Sequence, residues 1–285
     1  MSTPRVTFLS TWGTACGIAT YTEQLSAALA ETGIDVGVWA EDAVPPAHAE
    51  RGAWSPHADV QVTTDAWART DATPHRLTDN AATLAHGDIL HIQHEFGLFQ
   101  DATAMKMIIA VAHASGARVV ITLHTPETRA GSPGWFEALA TADAIVVHST
   151  HAANLVASWW PHKHSIHVIH HGVRAYDRMD RATARKQVGI EADAIAGVTV
   201  GFLSPAKEID ALVCGVIYGM TLERTLGGAT GRRSVCMLAG KRMSAPHDPA
   251  YWGRIERAII DAGLADRITI RSGFVPNADM IAYYS

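Results

Sequence analysis

Along the chain, short apolar runs alternate with segments whose apolar residues recur at helical spacing. The first run, residues 6–9 (V-T-F-L), reads as a buried strand. Ile18, Tyr21, Leu25, Ala28 and Leu29 then fall on one helical face, and Gly33 is placed to end that helix. Further strands are expected at residues 34–40, 89–93, 118–123, 144–148 and 166–169, with a short one at 60–62. Helices are expected at 105–116, 135–140 and 150–159, and residues 41–60, rich in Pro, Ala and His, read as a long loop. Strand and helix alternate, and several strands are unbroken apolar runs. Both properties point to an α/β protein with a doubly wound parallel sheet covered on both faces.

The pattern changes after residue 173. Residues 174–195 are charged at first and read as a linker with a short surface helix. A second α/β series follows, with strands at 196–202, 234–239 and 267–270 and helices around 209–220 and 249–262. These are few strands for an independent Rossmann-like domain. A first domain at 1–173 and a partial second domain at 196–285 are therefore expected.

Bulk properties narrow the classes. At 285 residues and 48% hydrophobic, the chain can bury two sizeable cores. A net charge of -5 argues against a nucleic-acid binder held by bulk electrostatics. No charged segment leads into an apolar signal-like run, and none approaches the roughly 18–20 apolar residues that cross a bilayer. Cys16, Cys214 and Cys236 are few and widely spaced, which fits a reducing compartment. A cytoplasmic location is expected.

The candidate chemistry begins in the loop between the first strand and the first helix, T-W-G-T-A-C-G-I-A-T-Y at 11–21. Gly17 lies at the helix start, where free N–H groups and the helix dipole favour an anion. Gly13 and Gly17 permit close backbone approach and positive φ. Their G-x-x-x-G spacing, with Ala15 between them, is not the dinucleotide fingerprint. An anion site and a tight turn that binds nothing both remain open on this loop alone. Cys16 sits where a helix N-terminus lowers a thiol pKa, but without a paired base it also reads as a packing residue. There are 16 histidines, and His162, His164, His167, His170 and His171 invite a metal reading. With no acidic or cysteine partner nearby, no metal site is assigned. H-I-Q-H-E at 91–95 has the wrong order for a helical zinc motif.

Taken together, several motifs resemble the family 4 retaining glycosyltransferases. They are C-G-I-A-T-Y at 16–21, H-I-Q-H-E-F-G-L-F at 91–99, T-L-H-T at 122–125, V-H-S-T at 147–150, V-I-H-H-G-V at 168–173 and G-F-L-S-P-A-K-E-I-D at 201–210. F-V-P-N-A-D-M-I-A-Y-Y at 274–284 is similar to the family's segment before its main donor-binding motif. The resemblance implies a GT-B architecture, two Rossmann-like parallel-sheet domains facing a cleft. It implies transfer of a hexosyl group from a nucleotide-diphosphate sugar to an acceptor hydroxyl, with retention. Gly17, Ile18, Ser204 and Lys207 are then expected at the donor, His124 at the transferred sugar, and His94, Glu95 and Cys16 at the acceptor. His124 and Lys207 would carry the catalytic roles. No cofactor and no obligatory metal are implied. The partners implied are a nucleotide sugar and a carbohydrate, lipid-linked or small-molecule acceptor, and no nucleic acid.

The chain also departs from the family pattern. Phe202 stands where the family has an arginine, and Glu208 where a glycine follows the lysine. The sequence stops before the E-x7-E motif, so an incomplete second domain is expected. The alternative is a non-catalytic or partner-dependent relative that has lost autonomous donor binding, for which a homo-oligomer or a completing partner chain is expected. A nucleotide-sugar epimerase is a further, weaker alternative.

Overall fold

The run at 6–9 becomes an interior strand of a parallel sheet. In the computed structural model, β1 (Arg5–Ser10), β2 (Asp35–Glu41), β3 (Val60–Trp67), β4 (Ile89–His94), β5 (Arg118–Leu123), β6 (Ala144–Val147) and β7 (Ile166–Val168) pair in the order β3-β2-β1-β4-β5-β6-β7. The described residues are 4–42, 59–68, 75–99, 101–126, 133–159, 165–173, 177–226, 232–245 and 247–285. The chain divides into two compact units, Met1–Val173 and Arg174–Ser285. Every pairing in the first sheet is parallel. The strand order reverses between β1 and β4, which places a topological switch point there.

The unbroken apolar strands follow from burial on both faces. Phe8 and Leu9 are adjacent on β1 and fully buried, yet they belong to separate apolar clusters, one on each face. Val36 and Val38 join Phe8, while Leu90, Ile92, Ile121 and Ile145 join Leu9. Helices α1 (Gly17–Glu31), α2 (His75–Ala82), α3 (Ala102–Ala114), α4 (Pro133–Leu139) and α5 (Thr150–Trp159) complete the crossovers. β3 is longer than the expected 60–62, and α2 is not evident in the sequence pattern. Its only fully buried apolar positions are Leu77 and Ala81, too few to make a helical stripe legible. Most of the expected loop at 41–60, together with His162 and His164, lies outside the described residues.

In the second unit, α6 (Arg181–Val188), β8 (Ile195–Val200), α7 (Ile209–Thr225), β9 (Ser234–Gly240), α8 (Tyr251–Asp261), β10 (Ile268–Ser272) and α9 (Asn277–Tyr284) follow in order. Among the described residues its sheet has three parallel strands, β10-β9-β8. α6 comes from the stretch read as a linker. Asp180 caps it, and Ala184 and Val188 pack with Met237 and Ala282. α7 turns Ile209, Val213 and Met220 inward and leaves Leu212, Tyr218 and Leu222 exposed.

A close backbone approach fixes the ends of β8 and β9. A Cβ at Gly240 would lie 1.6 Å from the carbonyl oxygen of Gly201, and Gly240 also has φ 154°. Only glycine fits, and the Gly201 N–H donates to Ala239 O at 3.0 Å on the same edge. Gly240→Ala is expected to destabilise the second unit by roughly 3 kcal/mol or more. Urea unfolding followed by circular dichroism measures this, and an unchanged midpoint would contradict the close contact.

Candidate functional site

In a parallel sheet the carboxyl ends of all strands meet at one edge, and most of the expected first-unit residues stand there. After β1, Cys16 is the N-cap of α1 in extended conformation, with no side-chain cap, and Gly17 is the first helical residue. Gly13 supplies the positive φ of this loop, 61°, and Gly17 needs none. The Thr11 hydroxyl donates to Cys16 Sγ at 3.7 Å, which ties the thiol into the loop. The Ser10 and Thr22 hydroxyls are 2.6 Å apart and buried, so the strand end is fastened to the second turn of the helix. This holds Gly17 and Ile18 at the edge with their N–H groups uncapped by any side chain.

The same helix brings Tyr21 against three histidines from later strands. The Tyr21 ring meets His124, just after β5, at 5.0 Å between centroids, His148, after β6, at 5.3 Å, and His171, beyond β7, at 5.4 Å. His148 and His171 lie 3.8 Å apart by centroid, and His124 and His148 5.1 Å. Each ring offers a nitrogen within 4.8 Å of the others. His124 Nε2–H donates to Gln93 Oε1 at 2.9 Å, and His148 Nδ1–H donates to the Ile169 carbonyl at 2.9 Å. Both acceptors are carbonyl oxygens, so both tautomers are defined. Lone pairs remain on His124 Nδ1 and His148 Nε2. Burial, with the neighbouring His148, His171 and His91, lowers the His124 pKa to about 3. Burial and His148 also lower that of His171. At neutral pH His124 is thus a hydrogen-bond acceptor rather than an acid.

His94, expected at the acceptor, is buried at the end of β4. It is 1% exposed, its ring packed on Phe96 and Trp135 at 4.8 Å each and stacked with Phe99 at 5.6 Å. As the last residue of β4 its side chain points into the core. Burial and the nearby His124 push its pKa to about 3. Glu95 is half-buried and committed internally: Gly97 N–H donates to Oε2 at 2.6 Å and the Thr125 hydroxyl to Oε1 at 3.2 Å. That leaves it a brace between the loops after β4 and β5.

In the second unit, Ser204 caps a single 3-10 turn, Pro205–Lys207, by accepting from Ala206 N–H at 3.2 Å. Lys207 ends the turn. Its Nζ lies 3.8 Å from where a Gly201 Cβ would be, above the end of β8, and no acidic side chain among the described residues pairs with it. Gly201, Gly240 and Gly273 mark the carboxyl ends of β8, β9 and β10, all with positive φ. Beyond β10, Arg271, Phe274, Pro276, Asp279 and Tyr283 line a pocket of about 280 Å³ with Gln187 of α6.

The sequence profile of Glycosyltransferase Family 4 matches residues 15–175, more than half of the chain. The chain belongs to Glycosyltransferase Family 4. Solved structures agree on the fold. The structure of HepE from Anabaena, solved with UDP and glucose, matches 98% of this chain and 71% of its own at 14% identity and a TM-score of 0.62. Sucrose-phosphate synthase from Thermosynechococcus elongatus matches 99% of the chain and 73% of its own at 17% identity and TM-score 0.65. A glycosyltransferase from Rickettsia africae matches 100% and 71% at 12% identity and TM-score 0.64. No curated protein matches by sequence. The fold is therefore GT-B, with Rossmann-like α/β units.

Two features of this family 4 chain lie beyond the sequence reading. Glu208 occupies the left-handed region, φ 52° and ψ 44°, and no other described non-glycine residue has positive φ. The family's glycine at that position suits this conformation, which glutamate strains. His148 enters the sequence reading only as part of V-H-S-T and His171 only among the histidines near residue 167 and in V-I-H-H-G-V; the adjacency of their strands assembles them with His124. His167 is exposed, and His170 Nδ1–H donates to the His148 carbonyl at 3.1 Å, so neither joins the cluster.

His91, His94 and His124 have folded pKa values of about 4, 3 and 3 against an ordinary 6.5, with burial the main cause. Below pH 6.5 the unfolded chain binds protons that the folded chain refuses. Their stabilisation is therefore complete above pH 6.5 and lost as the pH falls toward the folded values, on the order of 1–2 kcal/mol per ring between pH 7 and 5. Urea titrations at the two pH values measure the loss. His94→Phe should be nearly neutral at pH 7 and should flatten the pH dependence by one ring's share; an unaltered slope would contradict a buried neutral His94.

Proposed function

We propose that this chain transfers a hexosyl group from a nucleotide-diphosphate sugar to an acceptor hydroxyl, with retention of configuration. Family and fold support glycosyl transfer as the chemistry. The observation that carries the finer reading is Lys207, an ammonium without an acidic partner among the described residues, held above Gly201 at the end of a parallel strand. Ligands of open α/β sheets bind at such ends. The lysine would pair with the donor diphosphate and stabilise its charge as the nucleotide departs. The Ser204 turn fixes the position from which Lys207 reaches. In the first unit, the uncapped amides at Gly17 and Ile18 offer donors to phosphate, and the neutral His124 offers Nδ1 to a sugar hydroxyl. With both carboxylate oxygens of Glu95 engaged, catalysis would rest on positioning and electrostatics rather than on a protein nucleophile. Cys16 would flank the acceptor beside Gly17. The acceptor would be a carbohydrate, a lipid-linked sugar or a small molecule in the cytoplasm, and transfer would require no metal.

Calorimetry with UDP- and GDP-sugars, followed by nucleotide release with a panel of acceptors and by NMR of the product anomer, tests this reading. Lys207→Ala is expected to lower kcat/KM about 100-fold. Glu208→Gly removes a strained conformation and a negative charge beside the lysine. It should stabilise the second unit by about 1 kcal/mol and tighten donor binding several-fold. Absence of donor binding by the wild-type chain and by Glu208→Gly would favour the partner-dependent alternative instead.

A further inference from the structure

We propose that His124, His148 and His171 form a binding site for one divalent transition-metal ion of the zinc class. Each ring presents a nitrogen within 4.8 Å of the other two, so one ion can be shared by all three. Zinc–imidazole bonds of about 2.0–2.1 Å put tetrahedral ligand nitrogens roughly 3.3 Å apart. Closing to that spacing takes side-chain rotation, and His171 is the exposed member of the three.

The hydrogen bonds of the cluster supply the second and stronger argument. Metal-bound histidines commonly donate their other N–H to a carbonyl or carboxylate, which fixes the tautomer and turns the lone pair toward the ion. His124 does this through Gln93 Oε1 and His148 through the Ile169 carbonyl, both at 2.9 Å. What remains on His148 is Nε2, a buried nitrogen with no hydrogen-bond partner. Buried polar atoms without partners are rare and call for an explanation. An ion accepting that lone pair provides one.

The donor set also selects the ion. Imidazole nitrogens, with no carboxylate in the group, suit zinc, cobalt, nickel or copper rather than magnesium or calcium. Tyr21 closes one side of the cluster by its edge contacts with all three rings. The exposed His171 side stays accessible, which leaves room for a water or a ligand oxygen as fourth ligand, the arrangement of an open zinc site. The site draws one histidine from each of three strand ends and none from the other histidines that crowd the sequence between 162 and 170. Through His124 Nδ1, an ion and a sugar hydroxyl would be alternatives. The inference does not depend on the transfer reading, because metal binding is measured without any nucleotide sugar.

The test uses the full chain stripped with a chelator and dialysed. Zn2+ is titrated by calorimetry, and Co2+ by absorption, whose visible bands report a tetrahedral nitrogen-rich site. One site per chain of micromolar or tighter affinity is expected, with Mg2+ giving no heat. His148→Ala and His171→Ala should each weaken it at least 100-fold and abolish the tetrahedral cobalt spectrum, with circular dichroism confirming the fold. His171 lies outside the core, so His171→Ala keeps the test decisive if His148→Ala fails to fold. No strong site in the wild-type chain would overturn the proposal, as would a strong site whose affinity is unchanged in His171→Ala.

Discussion

Parallel pairing is the constraint on which the rest of this protein depends. Parallel strands cannot be joined by tight hairpins, so each must be returned by a crossover to the edge where it began. Every loop that follows a strand therefore opens on the same side of the sheet. Tyr21, Glu95, His124, His148 and His171 are spread over 150 positions of sequence, from 21 to 171, yet the order β1-β4-β5-β6-β7 delivers them to neighbouring loops. The apolar cores on the two faces secure the strands, and the strands carry the polar ends. The second unit repeats the principle on a smaller sheet, with glycines and Lys207 where the first has histidines.

What the sequence made legible was the framework. Buried parallel strands are continuous apolar runs, so β5 and α5 fall at residues 118–123 and 150–159, where the pattern alone places them. α2 escaped because its inward face is a leucine and an alanine, and β3 because its threonines and Asp65 interrupt the run. The site was legible only in part. Strand ends can be located from a pattern, but His124 and Lys207 are singled out by the family resemblance of T-L-H-T and G-F-L-S-P-A-K-E-I-D. Which strand ends are neighbours depends on pairing order, and a single sequence does not display that. His94 shows the converse. One residue earlier than a loop position, it is still within β4, and the period of two turns its ring into an aromatic core.

Backbone conformation bears on Glu208, one of the departures from the family pattern in the second unit. The bend after Lys207 requires a left-handed residue before α7 can start, and the chain makes it with Glu208. The strain is tolerated because the turn is secured on both sides, by the Ser204 cap and by the Tyr251 hydroxyl accepting from Asp210 N–H at 3.1 Å. The exposed outer face of α7 follows directly after this bend.

The burial of His91, His94 and His124 has one further consequence. Histidine ordinarily makes a protein surface responsive to modest acidification, because its charge switches within the range that cells experience. These three rings surrender that response. Three imidazoles of the first unit thus stay uncharged through modest acidification, and their contribution to its electrical character does not follow the medium.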